Sequence, residues 1–201
     1  MDVEVLRALV KECGLAANSH HQPIMLTTAL KGLLGSKEPH REQVKAVRRM
    51  VYGFGDTILI AKTGFGKSIC LHAYSVLTIN ITQQIIPLSK LGNEQLDAIS
   101  RYKGTQPVLV TAETRLSHPS IFKDIARGMY THILLGPEQA VFPAFSNLFL
   151  IREFASRVQL VAIDECHVIR QWETFRAEYT MFQQLRRVLD ERARFFGCTA
   201  Y

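Results

Sequence analysis

The chain has 201 residues, which is long enough to bury the core of one domain and to carry a short appendage. Hydrophobic residues make up 47% and charged residues 21%, as in an ordinary globular protein, and no apolar run approaches the roughly 18 residues of a membrane span. The formal net charge of +6 is compatible with a polyanionic partner, but this excess of basic residues is too common to indicate one by itself.

The cysteines and the start of the chain exclude further classes of protein. The four cysteines contain no C-x-x-C pair, so the sequence indicates neither a zinc site of that kind nor a disulfide framework. The first residues, Met1-Asp2-Val3-Glu4, do not resemble a secretory signal. We therefore expect an intracellular, reducing compartment.

Helical spacing of apolar residues dominates the first part of the chain. We interpret residues 1–29 as an N-terminal helical extension of unassigned role, and residues 30–201 as the main domain. The elements predicted before the first strand are helices over residues 2–12, 26–34 and 42–52, and a loop over residues 14–24.

Apolar runs typical of buried strands alternate with helical segments in the rest of the chain. Continuous apolar strands separated by helices predict an α/β fold with a parallel sheet covered on both faces, and right-handed crossovers make it doubly wound. Strands are predicted at residues 57–61, within 81–88, and at 108–110, 132–135, 158–163 and 194–197. Helices are predicted at 68–77, 93–102, 121–128, 150–156 and from 175 onward.

A phosphate-binding loop is predicted between the first strand and its helix, where the sequence reads A-K-T-G-F-G-K-S over residues 61–68. The glycines allow a tight turn that points backbone N–H groups at phosphate oxygens, Lys67 can reach the β- and γ-phosphates, and the Ser68 hydroxyl can coordinate Mg²⁺. Ala61 replaces the first glycine of the general G-x-x-x-x-G-K-[ST] pattern. A chance glycine-rich turn is the alternative, and the strand before and helix after disfavour it. The predicted nucleotide contacts are Thr63, Gly64, Phe65, Gly66, Lys67 and Ser68.

A pair of acidic residues, Asp164 and Glu165, follows the strand predicted at 158–163. Open α/β sheets bind ligands at this end of their strands. Asp164 is the predicted second Mg²⁺ ligand beside Ser68, and Glu165 is the predicted base that orients and deprotonates the attacking water. His167 is predicted to link this site to other parts of the protein. The alternative is an acidic cap on the strand end with a surface histidine.

The segment Asp164-Glu165-Cys166-His167 has the D-E-x-H form of superfamily 2 helicases, and the residues after it resemble the RecQ family of DNA helicases. Trp172, Phe175 and Arg176 are similar to the RecQ aromatic-rich loop, which implies that they contact DNA and couple it to ATP hydrolysis. One residue fewer separates Trp172 from Phe175 than in the family pattern.

Further stretches resemble RecQ motifs in the same order. Gln43 falls where the family's glutamine contacts adenine, although Pro39 and His40 replace the usual Phe and Arg before it. The segment at residues 87–95 is similar to one that lies along single-stranded DNA, which implies DNA contacts for Lys90 and Gln95.

Two shorter stretches complete the resemblance. Gly136-Pro137-Glu138 stands where the family has S-P-E. Cys198-Thr199-Ala200 resembles the motif that relays hydrolysis to strand movement, with Thr199 as the coupling residue and Tyr201 in place of the last threonine.

The resemblance implies the first RecA-like, ATP-binding domain of a 3′→5′ DNA helicase. ATP and Mg²⁺ are the implied cofactors, and single-stranded or forked DNA is the implied partner. A location in the nucleus is implied by the family alone, otherwise in the cytoplasm. The 201 residues leave no room for a second RecA-like domain, which carries the arginine finger, so we expect poor hydrolysis by this chain alone unless a second motor domain acts in trans.

Three other functions stay open at this point. The first is a truncated or degenerate module that binds nucleotide and nucleic acid without helicase activity, favoured by Pro39, His40 and the short aromatic loop. The second is a DEAD-box-like RNA helicase, disfavoured by the segment at residues 172–179. The third, and least favoured, is a small-molecule kinase, which would not require the acidic pair together with that segment.

Overall fold

A computed structural model of the chain describes residues 3–15, 20–35, 37–53, 55–78, 80–86, 89–168, 184–189 and 191–200. Within these ranges, no helix is both long and apolar enough to cross a membrane.

Three helices precede the first strand: α1 (Val3–Leu15), α2 (His21–Leu33) and α3 (Arg41–Val51). Because α1 runs to Leu15 and α2 starts at His21, the loop predicted at 14–24 is wrong at residues 14–15 and 21–24, and the predicted helix start near Leu26 is wrong. Residues 16–19 of that loop lie outside the described residues. Pro23 lies in the first turn of α2, where its missing N–H removes no intrahelical hydrogen bond. A residue that indicates a loop in the sequence is therefore compatible with the start of this helix.

The described strands form one sheet in the order β1-β6-β5-β2-β4-β3, and every pair of neighbours is parallel. The predicted α/β class with a doubly wound parallel sheet is confirmed, and β4 and β5 have the predicted bounds. The strands are β1 (Thr57–Ile60), β2 (Ile81–Ile85), β3 (Pro107–Val110), β4 (His132–Leu135), β5 (Val158–Ile163) and β6 (Arg194–Thr199).

Helices of very different length connect these strands. The short helices α6, α8 and α9 were not predicted, whereas α7 and α10, each of six residues, lie within or overlap the helices predicted at 121–128 and 150–156. The helix predicted from Phe175 lies outside the described residues up to 183, and residues 184–188 are helical. The connecting helices are α4 (Lys67–Thr78), α5 (Ser89–Ser100), α6 (Ala112–Ser117), α7 (Ile121–Ala126), α8 (Pro137–Ala140), α9 (Pro143–Ser146) and α10 (Arg152–Arg157).

The two faces of the sheet are buried in separate apolar cores. Successive side chains of a strand point to opposite faces, so Leu160 and Ala162 of β5 enter one core while Val161 enters the other. The first core joins β1, β5 and β6 to α1, α2, α3 and α4. The second joins β2, β3, β4 and β5 to α7, α9 and α10, with Phe145 and Phe154 fully buried.

Helices α1 and α2 belong to the first of these cores. Leu6 of α1 and Leu26 and Leu30 of α2 are buried in one cluster with Val47 of α3 and Leu71 of α4. Helices α1 and α2 therefore pack against α3 and α4 on one side of the sheet, while the boundary between residues 29 and 30 stays a prediction.

Candidate functional site

The loop at residues 61–68 lies between β1 and α4, as its sequence indicates. Gly64 and Gly66 both have a φ of 82°, in the left-handed region that favours glycine. The Phe65 N–H donates to the Lys62 carbonyl at 3.2 Å and closes the turn. Because α4 begins at Lys67, the N–H groups of its first turn have no acceptor within the helix and form the positive end of its dipole.

Lys67 lies across this loop. Its Nζ donates to the carbonyl of Ala61 at 3.0 Å and to that of Lys62 at 3.4 Å. An ammonium group has three protons, so these two contacts leave one donor for a phosphate oxygen. Ser68, the predicted Mg²⁺ ligand, is exposed on the first turn of α4.

Gln43 lies beneath the loop, with a side chain that is only 3% exposed. Its Nε2 donates to the carbonyls of Phe65 and Gly66, each at 3.0 Å. Its Oε1 accepts the N–H of His40 at 2.7 Å, which closes the capping box at the start of α3. The His40 ring stacks on Phe65 with a centroid distance of 4.6 Å. All three of these hydrogen bonds of Gln43, the residue predicted to contact adenine, are with backbone groups.

Asp164 follows β5 and is 9% exposed. Its Oδ1 accepts the Glu165 N–H at 3.0 Å and the Cys198 thiol at 3.2 Å, and its Oδ2 lies 3.5 Å from Gln95 Nε2. Burial raises the pKa of this carboxyl above its usual range. Burial also raises the pKa of the Cys198 thiol, which keeps its proton available as a donor to Asp164.

Gln95, a predicted DNA contact, is only 9% exposed, and its side chain faces Asp164. Its Oε1 accepts a hydrogen bond from Nε2 of His72, a buried residue of α4. Burial lowers the pKa of His72 to about 4, so the ring is neutral and its Nε2–H is the donor. Gln95 therefore joins α4 to the acidic pair, and its contact with DNA stays a prediction.

Glu165, His167 and Thr199 meet beside the carboxyl end of β6. Glu165 Oε2 lies 3.3 Å from His167 Nδ1 and 3.4 Å from the Thr199 hydroxyl, and it accepts the Ala200 N–H at 3.3 Å. His167 Nδ1 and Thr199 Oγ1 are 2.6 Å apart. The predicted base, linking histidine and coupling threonine therefore share one hydrogen-bonded cluster.

Strand order brings this cluster to the phosphate loop. β6 pairs with β1 on one side and β5 on the other, and the Ala61 N–H donates to the Thr199 carbonyl at 3.1 Å. The carboxyl ends of three strands that are distant in sequence thus meet at one edge. Lys90 lies in α5, and the predicted DNA contacts Trp172, Phe175 and Arg176 lie outside the described residues.

Two residues near the acidic pair were not predicted. Cys198 contacts Asp164 because it lies on β6, which pairs with β5. In the sequence, its place beside Thr199 in the coupling motif was the feature that could have indicated a position in the site. His72 is one turn along α4 from Ser68, and nothing in the sequence distinguishes it from an ordinary helix residue.

The arrangement fits a triphosphate with a magnesium ion. The turn at Gly64 and Gly66 and the start of α4 present N–H donors to phosphate, while the Ser68 hydroxyl and the Asp164 carboxylate are oxygen ligands of the kind that Mg²⁺ prefers. A parallel α/β sheet with this loop after its edge strand β1 defines a P-loop fold of the RecA-like kind.

The chain belongs to the DEAD/DEAH box helicase family, whose pattern matches residues 40–200. It is 26% identical over 160 residues to the ATP-dependent DNA helicase RecQ of Haemophilus influenzae, covering 79% of this chain and 25% of that protein. It is 29% identical over 160 residues to the ATP-dependent helicase wrn-1 of Caenorhabditis elegans, covering 79% of this chain and 15% of the relative. The chain therefore spans about a quarter or less of the length of these relatives.

Solved helicase structures share the fold. The Mycobacterium smegmatis helicase Lhr, bound to single-stranded DNA and AMP-PNP, superposes with a TM-score of 0.63 and 17% identity over 87% of this chain and 24% of its own. The UvsW helicase of bacteriophage T4 superposes with a TM-score of 0.56 and 17% identity over 81% of this chain and 52% of its own. The predicted RecQ-like first RecA-like domain is confirmed by the family match and these relatives.

Proposed function

We propose that this domain binds ATP with Mg²⁺ and single-stranded DNA, and serves as the ATP-binding motor domain of a RecQ-like DNA-dependent ATPase and 3′→5′ helicase. The observation that carries the proposal is the junction of β1 and β6, where the Ala61 N–H donates to the Thr199 carbonyl. This contact supports one site made of the phosphate loop, the acidic pair and the coupling threonine.

Each residue of the site has a role in this proposal. The loop N–H groups and Lys67 bind the phosphates, and Ser68 and Asp164 hold Mg²⁺, which neutralises phosphate charge when bound. Glu165 orients the attacking water and takes its proton. His167 and Thr199 hold the Glu165 carboxylate by the contacts described above, so movement of β6 would move the base.

A second candidate is a module that binds nucleotide and nucleic acid without productive hydrolysis. The observation that favours it is Gln43, whose amide is engaged by the backbone of His40, Phe65 and Gly66. The hydrogen-bonded Glu165 favours the catalytic proposal instead, because a base held beside the loop has no use in a module that only binds.

The first test measures ATP binding and phosphate release by the 201-residue chain, with and without single-stranded DNA, for the wild type and for Lys67→Ala. Loss of a charged donor to phosphate should weaken nucleotide binding by about tenfold or more. We expect nucleotide binding that requires Lys67, together with slow phosphate release that single-stranded DNA stimulates and that disappears in Lys67→Ala. Lys123→Ala, an exposed lysine on α7, is the matched control and should behave as the wild type.

The outcomes separate the candidates. Binding that depends on Lys67 without even slow phosphate release would favour the non-catalytic module for this chain. Equal binding by the wild type and Lys67→Ala would contradict both. Stimulation by single-stranded RNA but not by DNA would replace the DNA helicase with an RNA-dependent enzyme.

A further inference from the structure

We infer that an arginine strip at the amino ends of β1 and β6, at the edge of the sheet opposite the nucleotide site, binds the phosphate backbone of a nucleic acid without reading its bases. The inference goes beyond the proposed function, in which the DNA contacts are predicted at other residues. The strip is formed by the end of α3, the turn before β1, the helical residues 184–188 and the start of β6. Its arginines are Arg48, Arg49, Arg186, Arg187, Arg192 and Arg194.

Most of the net charge of the chain is concentrated in this strip. Residues 45–56 and 184–194 contain seven basic and three acidic residues, and they therefore hold four of the six net positive charges of the chain. In the sequence these are two separate basic segments, and the pairing of β1 with β6 brings them together. A basic strip of this kind attracts polyanions.

Two arginines from opposite faces of the sheet meet at Asp56, just before β1. Arg49 of α3 donates from Nε to the Thr57 hydroxyl at 3.0 Å and from Nη2 to the Asp56 carbonyl at 3.4 Å. The Arg186 guanidinium donates to the Asp56 carboxylate and lies over the Phe195 ring, 4.2 Å from its centroid. Asp56 supplies the one carboxylate in these contacts, so two guanidinium charges face a single negative charge.

Arg194 adds a third guanidinium group beside them. Its Nη1 donates to the Glu191 carbonyl at 2.8 Å, and its Nη2 lies 3.5 Å from the Gly53 carbonyl. Nη1 of Arg194 and Nη1 of Arg186 each lie 3.4 Å from the Ala193 carbonyl oxygen, so the two guanidinium groups share one acceptor. A Cβ on Gly53 would lie 3.0 Å from Arg194 Nη2, so the glycine leaves the space that this guanidinium occupies.

Backbone carbonyls hold these arginines in place but do not neutralise them. Like charges that are held close together repel each other, which lowers the stability of the fold unless an anion binds between them. Because the side chains are already ordered, binding of an anion costs little further side-chain entropy. Guanidinium groups bind phosphates through paired hydrogen bonds, and a strip that extends across both faces of the sheet fits a chain of phosphates better than a single ion.

The length of β6 separates the arginine strip from the nucleotide site. Arg194 begins this strand and Thr199 ends it, so about 16 Å lie between the strip and the cluster of Glu165. A nucleic acid on the strip does not need to enter the nucleotide site. We therefore expect it to bind in the absence of nucleotide.

The first test measures the fluorescence anisotropy of a labelled oligothymidylate of about 20 nucleotides with the whole chain, without nucleotide, between about 50 and 200 mM salt. Each phosphate contact on a single strand contributes about 0.7 to the slope of log K against log salt. Arg187→Gln/Arg192→Gln should therefore reduce this slope by about 1.4 and weaken binding about tenfold near 0.1 M salt. Arg101→Gln/Lys123→Gln removes the same charge elsewhere on the surface and is the matched control. Equal slopes for the strip variant and the wild type would overturn the inference.

Asp56→Asn distinguishes an anion site from a purely structural cluster. The amide oxygen can still accept the Phe195 N–H, which Asp56 Oδ1 accepts at 2.9 Å, while the strip loses a negative charge. We expect the oligothymidylate to bind about threefold more tightly or better, whereas damage to the fold would weaken binding. Unchanged or weaker binding by folded Asp56→Asn would contradict the inference. Glu153→Gln, an exposed residue of α10, makes the same change in net charge and is the control.

Further outcomes separate this inference from the proposed function. Displacement of the oligothymidylate by poly-L-glutamate as readily as by unlabelled oligothymidylate would overturn the assignment to nucleic acid in favour of an acidic protein segment. Absence of oligonucleotide binding by the wild type would overturn the inference together with the DNA binding of the proposed function. Failure to bind ATP, with binding to the strip intact, would contradict the proposed function alone. If Asp56→Asn does not fold, the arginine variant decides.

Discussion

Glu165 combines the proposed catalytic carboxylate with an unfavourable backbone conformation. Among the described residues it is the one non-glycine residue at positive φ, at 48°. Its N–H is held by Asp164 and its carboxylate by the Ala200 N–H, so the surrounding contacts determine the conformation. Residues in this region cost free energy of folding and occur where a function requires their position. The strain at Glu165 therefore supports its assignment as the base.

Replacement of Glu165 separates stability from chemistry. The free energy of unfolding of Glu165→Gly should be higher than that of Glu165→Gln by about 1 kcal/mol, because glycine adopts positive φ without the steric penalty. The greater conformational freedom of glycine in the unfolded chain offsets only part of this gain. Both variants should bind nucleotide and lose hydrolysis. Urea unfolding measures the difference; equal stability of the two variants would mean that no strain is stored here.

At the scale of elements, β2 is an unusual central strand. It lies between β4 and β5, and its residues Gln83 and Gln84 are fully buried without a hydrogen-bond partner for their amides among the described residues. Gln83 lies two residues from both Ile81 and Ile85, on the same face of the strand, and these isoleucines belong to the second apolar core. A buried amide without partners costs free energy of folding. These two glutamines therefore lower the stability of the domain, and an apolar replacement can raise it.

Gln83→Met should raise the free energy of unfolding by about 1–3 kcal/mol, because it removes an unsatisfied amide at nearly constant volume. Thermal or urea unfolding at neutral pH provides the measurement. Gln184→Met, at an exposed helical position, is the matched control and should stay within about 0.5 kcal/mol of the wild type. Destabilisation by Gln83→Met would mean that the amide is satisfied.

At the scale of the whole molecule, two buried histidines, His72 and His132, lie between α4 and the sheet. His132 of β4 donates its Nε2–H to the His72 carbonyl at 3.1 Å and accepts the Thr131 hydroxyl at Nδ1 at 2.9 Å. Burial lowers the pKa of His72 to about 4 and that of His132 to about 3, from an ordinary value of 6.5. Both rings therefore stay uncharged in the folded protein, while the unfolded chain takes up protons as the pH falls below 6.5.

Acid should consequently destabilise the fold. This stability is fully present above pH 6.5 and is lost as the pH drops toward 4 for His72 and toward 3 for His132, by up to about 1.4 kcal/mol per pH unit for each histidine. The double variant His72→Gln/His132→Gln keeps an N–H donor at both positions and should flatten this slope in urea titrations between pH 7 and pH 5. Exposed His21→Gln is the control; an unchanged slope in the double variant would contradict the assignment.

Local signals in the sequence accounted for much of this architecture. The apolar runs of β4 and β5 predicted their bounds, and the glycines with Lys67 and Ser68 predicted a loop between a strand and a helix, because these features depend on neighbours along the chain. The start of α2 was missed because Pro23 has opposite meanings in a loop and in a first helical turn.

What the sequence by itself determined is the class of fold and the identity of the motif residues, since hydrophobic period and short motifs are local properties. Only the tertiary structure decided what the two glutamines contact. Gln43 of α3 bonds to the loop after β1, and Gln95 of α5 lies against Asp164 after β5, so both contacts join elements far apart in the chain. Most polar groups that are buried in such packing are hydrogen-bonded, and the partners of these two glutamines are non-local.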